Sequence, residues 1–206
     1  MKQHYALHCG ISTLLFCIAL SLTAQKKNES FQLHIYKTTN AIKIDGVIDS
    51  SEWAGTEDAT DFFMMLPMDT SRAKAFTHVR MAYDDVNIYL VAECLKPTTG
   101  PYYVESLRRD FAFVKNDNFL VFMDPFDDKT NGFAFGTNAA GAQWDGMMYE
   151  GGKVDLNWDN KWISAVKNYP MKWILEMAIP FTTIRFKKGI DKWGINFSRL
   201  DLTTAE

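Results

Sequence analysis

Gln143 and Asp145 stand two residues apart in the alternating run 142–149, so on a strand they share one face. Trp144 lies between them, and Asn138 ends the run before. A carboxylate, two amides and an indole are the groups that hold a polyhydroxylated ring. The aromatic surface covers apolar C–H bonds, and the polar groups converge on hydroxyls. Arg109, in the charged stretch Arg108, Arg109, Asp110, would grip an acidic group or a partner. Each of these also has a plainer use: Trp144 can fill a sheet face, and the arginines can line a solvated loop.

Oxygen-rich turns are the second group. Asp124 with Asp127 and Asp128 suggests a calcium site, and Asp84 with Asp85 and the run Asn116, Asp117, Asn118 are similar. Calcium takes six to eight oxygens, and Asp and Asn are equally common turn formers. Other chemistries have less to build on. Beyond the first 24 residues only His34, His78 and Cys94 could serve zinc, and they are far apart in sequence. There is no nucleophile-elbow motif, and the acids sit mainly in turns rather than as an opposed pair, so no enzyme is expected. Met64, Met65, Met68, Met147 and Met148 leave a haem-binding sandwich as a third reading, although methionine is commonly core filler.

The elements that must position these groups alternate with period two. Residues 31–36, 41–44, 76–83, 87–94, 118–123, 133–138, 142–149, 162–166, 171–179 and 193–199 read as strands separated by turn residues. The spacing predicts an all-β fold, an antiparallel β-sandwich of jelly-roll or immunoglobulin-like type, with short helical turns at 50–54 and 180–184. Trp53 reads as a lid on the core, or alternatively as a ligand platform.

The chain has 206 residues, 47% apolar and 23% charged, which excludes disorder. Lys plus Arg against Asp plus Glu is 22 − 25 = −3, which leaves no electrostatic footprint for nucleic acid. Aromatics reach 14%, more than a core alone requires. Lys2, the short apolar run 11–22 and the small Ala24 read as a signal peptide over residues 1–24. A bilayer span needs about 20 apolar residues. Residues 25–39 are expected to be a leader and first strand, and residues 40–206 the sandwich. One remaining cysteine forms no internal disulfide, so an exported protein in the periplasm, outer membrane or extracellular space would rely on core packing.

Three segments, 44–53 (IDGVIDSSEW), 83–90 (YDDVNIYL) with 116–125 (NDNFLVFMDP), and 173–180 (WILEMAIP) with 193–197 (WGINF), together resemble carbohydrate-binding module family 9. The resemblance implies a non-catalytic sandwich whose partner is a polysaccharide or oligosaccharide, with structural calcium in some members. It places a stacking tryptophan of the family near Phe111 and Phe113. It places an acidic residue at Leu120, an arginine at Gly136 and an asparagine at Asn138, so of the last three only the asparagine is kept. Residues 135–145 are similar to a subgroup of exported bacterial proteins in which this module precedes an outer-membrane barrel. A chain ending directly after a strand is then expected to be a fragment, and an assembly or docking domain without sugar binding is the alternative function.

Overall fold

The computed structural model describes residues 31–65 and 71–206, and residues 33–206 form one compact unit. Eight of the runs above become full strands. They are β3 (Thr77–Tyr83), β4 (Asn87–Leu95), β5 (Asn118–Asp124), β6 (Gly132–Asn138), β7 (Gln143–Tyr149), β9 (Ile163–Tyr169), β10 (Lys172–Pro180) and β11 (Gly194–Leu200). Short pieces complete the set: β1 (Tyr36–Lys37), β2 (Asp58–Ala59) and β8 (Lys153–Asp155).

Two sheets result. In the first, the order is β1-β3-β4-β10-β9, with β2 also pairing β3; in the second it is β11-β5-β6-β7-β8. All pairings are antiparallel except β1 with β3, where Tyr36 lies opposite Ala82. The fold is therefore an all-β sandwich. The expected helical turns at 50–54 and 180–184 are hydrogen-bonded turns instead, and among the described residues one 3-10 turn is seen, at Phe113–Lys115. Segment 41–44 forms no strand, because its apolar residues cover a sheet rather than extend one.

Alternation decides which side chains meet between the sheets. Val79, Met81, Leu90, Ala92, Leu175 and Met177 of the first sheet face Phe119, Val121, Met123, Phe133 and Phe135 of the second. Strands β4 and β10 are buried on both faces because the first sheet is covered outside as well. Ile42, Ile44, Ile48 and Trp53 pack there on Tyr89, Val91, Ile174 and Ala178. That strap is held by Glu176, a buried carboxylate on the outer face of β10. It accepts the Asp45 N–H at 3.0 Å, the Gly46 N–H at 2.9 Å and the Trp53 indole N–H at 3.2 Å. Gly46 has φ of +77°, and a Cβ there would sit 2.9 Å from Lys167 Cβ, so glycine is the residue the strap needs at its turn. Trp53 is thus a lid, 2% exposed, on the outside of the first sheet.

The polar run Asn116, Asp117, Asn118 fixes the loop that leads into β5. The Asn116 side chain accepts the Glu105 N–H at 2.9 Å and donates to the Ala112 carbonyl at 2.8 Å. Asp117 accepts the Tyr103 and Leu202 N–H groups at 2.9 and 2.8 Å. Asn118 donates to the Phe113 carbonyl at 2.8 Å. This node sets the path of residues 102–113 and so the position of Arg109. Among the described residues no helix is long and apolar enough to cross a membrane; residues 1–24, read as a signal peptide, lie outside them.

Candidate functional site

Asp110 adopts a positive φ of 57° and its N–H donates to the Gln143 carbonyl at 2.9 Å. The chain there runs beside the start of β7. Arg109 turns to the inner side of the second sheet and Phe111 to the outer side. Gln143 and Asp145 do share a face, as alternation requires. Their cross-strand neighbours Thr137 and Phe135 show that this face is the inner one.

Arg109 therefore meets both. Its guanidinium donates to Gln143 Oε1 at 2.8 Å, to the Asn160 carbonyl at 3.0 Å, to Asp159 Oδ1 at 2.6 Å, and pairs with Asp145. Asp145 is fully buried and also accepts the Asn160 N–H at 3.1 Å. Burial raises its proton affinity above the ordinary carboxylate range, against the pull of that N–H and of Arg109. Gln143 donates onward to Ser164 Oγ at 3.1 Å, which ties the second sheet to β9 of the first. The outer end of this network opens on a shallow concavity, close to a flat surface, lined by Arg109, Asp159, Asn160 and Lys161. Asp159 and Lys161 are exposed there, while Trp158, one residue earlier, is half-buried against Phe133 at 5.0 Å between ring centroids.

Trp144 does not join that cluster. It points to the opposite face, is 7% exposed, and packs with Phe111, Leu120, Ala134 and Ala142. Phe111 is buried beneath it and Phe113 is half-buried at the edge of the same patch. Leu120 and Gly136 lie directly opposite each other on β5 and β6, under this patch. A Cβ at Gly136 would overlap the Phe119 carbonyl oxygen and lie 2.9 Å from Leu120 Cα, so the backbone there leaves no room for an arginine. Asn138 is wholly buried and holds its own turn. Its Oδ1 accepts the Ala140 and Ala142 N–H groups, both at 3.0 Å, and its Nδ2 donates to the Ser106 carbonyl at 2.7 Å. Of the expected residues, the structure brings Arg109, Gln143 and Asp145 together and sets Trp144, Phe111, Phe113 and Asn138 apart from them.

The oxygens of the 124–131 turn are taken up by its own amides. Asp124 accepts the Phe126 and Lys129 N–H groups at 3.0 and 2.7 Å. Asp128 accepts the Thr130 and Asn131 N–H groups, both at 2.8 Å, and hydrogen bonds led by the Asn131 side chain hold its carboxyl well below the ordinary range. Asp127 is exposed at positive φ. The turn does not present the converging oxygens that calcium requires. Among the described residues no three of His, Cys, Asp and Glu group as a metal-ligand set. His34 and His78 are each beside a separate acid, Glu57 and Asp58. Met147 and Met148 are consecutive on β7 and so face opposite sides, which removes a shared haem ligation by that pair. Met68 lies outside the described residues. Cys94 is buried and its thiol is pushed up to about 12, which makes it inert as a nucleophile.

Residues 157–161 had no place in the sequence reading. Their signal was the interleaving of polar and aromatic types, Asn157, Trp158, Asp159, Asn160, Lys161, in a stretch that ends no strand cleanly.

Comparison with known proteins agrees with this architecture. Two solved structures of a carbohydrate-binding module family 9 protein from Caldicellulosiruptor kristjanssonii, one in complex with glucose and one with cellotriose, are similar. Each is 16% identical and covers 83% of this chain, with TM-scores of 0.54 and 0.55, and 81% and 79% of the respective solved chains are covered. A Bacteroides uniformis protein matches 70% of this chain and 71% of its own, at 15% identity and a TM-score of 0.54. No curated protein matches the sequence. The family model described as carbohydrate family 9 binding domain-like matches residues 44–206, nearly all of the sandwich, and the chain belongs to that family.

Proposed function

We propose that this chain is a non-catalytic module that binds an oligosaccharide or polysaccharide at the Arg109–Lys161 concavity. The observation that carries the reading is the arginine network. Arg109 is fixed by four acceptors at the mouth, so the groups around it are already oriented before a ligand arrives. Beside it, Asp159 Oδ2 and Lys161 Nζ have no hydrogen-bond partner among the described residues and can bond hydroxyls as acceptor and donor. Trp158 is the ring this segment brings with it. Family membership and the glucose and cellotriose held by the C. kristjanssonii relative support the choice of ligand class. Isothermal titration against neutral oligosaccharides, beginning with glucose and cellotriose, tests it. Heat that is lost in a D159A/K161A double variant of unchanged melting temperature is the expected result. Silence with every sugar at millimolar concentration contradicts it.

A second reading, a docking domain without sugar binding, is favoured by one observation. The positions where the resemblance places an acid and an arginine of the family are filled by Leu120 and closed at Gly136, beneath Trp144. Export to the bacterial envelope is part of either proposal and rests on residues 1–24. The outer-membrane barrel as partner belongs to the second.

A further inference from the structure

Residues 181–193 link β10 to β11, and rings close the loop on itself. The Phe181 and Phe186 centroids are 5.8 Å apart at 64°, and those of Phe186 and Trp193 are 5.8 Å apart at 38°. Phe186 is still 42% exposed. Around it stand Arg185, Lys187, Lys188 and Lys192, all exposed, against a single acid in the loop, Asp191, giving 4 − 1 = +3. Among the described residues none of these four cations takes part in an ion pair. The whole chain has the opposite balance, −3. A cluster of unpaired cations in an acidic protein is a surface that attracts anions locally.

The loop is anchored. The Lys187 N–H donates to the Pro125 carbonyl at 3.0 Å, and Ile184 is buried. It also adjoins the concavity. Asn160 Nδ2 donates to the Thr183 carbonyl at 2.9 Å, and Thr183 Oγ1 donates to the Lys161 carbonyl at 2.9 Å. The first turn of the basic loop is thus hydrogen-bonded to the segment that lines the concavity.

We infer that the loop 181–193 is a second subsite that takes the acidic residues of a polysaccharide, its cations meeting carboxylate or sulfate groups and Phe186 covering the apolar face of a sugar ring. This rests on the reading of the concavity as a glycan site and adds the charge of the glycan. An anionic bilayer suits the loop less well. Apart from Phe186 it offers no large exposed apolar side chain, since Ile184 is buried and Ile190 half-buried. Single-stranded nucleic acid suits it less well too, since successive bases stack on several rings along a strand and the loop exposes only Phe186.

The test compares polygalacturonate, dextran sulfate, neutral dextran, inorganic polyphosphate and cellotriose by isothermal titration at low and high salt. Polygalacturonate or dextran sulfate is expected to bind more tightly than dextran, and which of the two is tighter tells carboxylate from sulfate. That preference should fall about tenfold in K187E/K188E and vanish at high salt, where exposed charges are screened. F186A should weaken the acidic glycans severalfold and leave polyphosphate unchanged, while cellotriose binds all variants alike. Cellotriose binding with no preference for acidic glycans overturns the subsite and leaves the concavity standing. Polyphosphate binding as tightly as the glycans, with F186A silent, also overturns it. No binding of any sugar removes both.

Discussion

Trp53 and Glu176 meet on the outer face of the first sheet, the indole N–H donating to the buried carboxylate at 3.2 Å. They lie far apart in sequence, and the same carboxylate holds the Asp45 and Gly46 amides. The strap between β1 and β2 is thereby fastened to the sheet it covers. Truncating Glu176 to alanine leaves the buried Gly46 and Trp53 donors and the part-buried Asp45 N–H without their acceptor, and urea unfolding should show a loss of about 3 kcal/mol. A loss below about 1 kcal/mol would mean that the strap is held by its apolar contacts alone.

The same residue gives a pH signature. Burial raises the Glu176 proton affinity in the fold, outweighing the three hydrogen bonds that favour its anion. Between the ordinary carboxylate range and the raised value, the folded chain keeps a proton that the unfolded chain has released. Stability from this group therefore falls as pH rises through that window and is flat above it. Urea midpoints measured from pH 4 to 7 should show this slope in the wild type and a shallower one in E176Q. Equal slopes would contradict the assignment.

At Gly46 the strap turns with φ of +77°, and Lys167 leaves no room for a Cβ. Gly46→Ala should cost about 2 kcal/mol, more than the usual glycine-to-alanine change at a position with positive φ. Retained stability in thermal unfolding would show that the turn can move away from β9.

Trp144 and Asp159 are expected to behave oppositely. Trp144 is 7% exposed in an apolar patch, so W144A should lower stability by about 3 kcal/mol, and the milder W144F should leave sugar affinity unchanged. Asp159 is 64% exposed and its pair with Arg109 is a surface one on that side, so D159A should change stability by less than about 1 kcal/mol while weakening binding. A binding defect in W144F would move the site to the outer face of the second sheet.

The strand runs were legible because a sandwich imposes period two on every strand with one buried face, and eight of them appear within a few residues of the expected bounds. The nearly all-apolar stretch 118–123 was legible as a central strand, and β5 does lie between β11 and β6. Residues 41–44 misled because a strap covering a sheet needs the same spacing of isoleucines as a strand does. At the site, alternation put Gln143 and Asp145 on one face but did not say which face. That depends on Phe135 opposite Asp145, a pairing set by the turn at 139–142. Trp144 was grouped with them by adjacency in the chain, which on a strand is the surest sign of opposite orientation. The Arg109 network draws on residues 109, 143, 145, 159 and 160, and such a gathering has no local pattern to read.

Location of the bound sugar is the most direct test. Amide and side-chain N–H spectra of the labelled protein, recorded while cellotriose is added, should show shifts at Arg109 Nε, Asn160 and Lys161, with the Trp144 indole unmoved. Shifts confined to Trp144, Phe111 and Phe113, or no shifts at millimolar sugar, would contradict a glycan site at the Arg109 concavity.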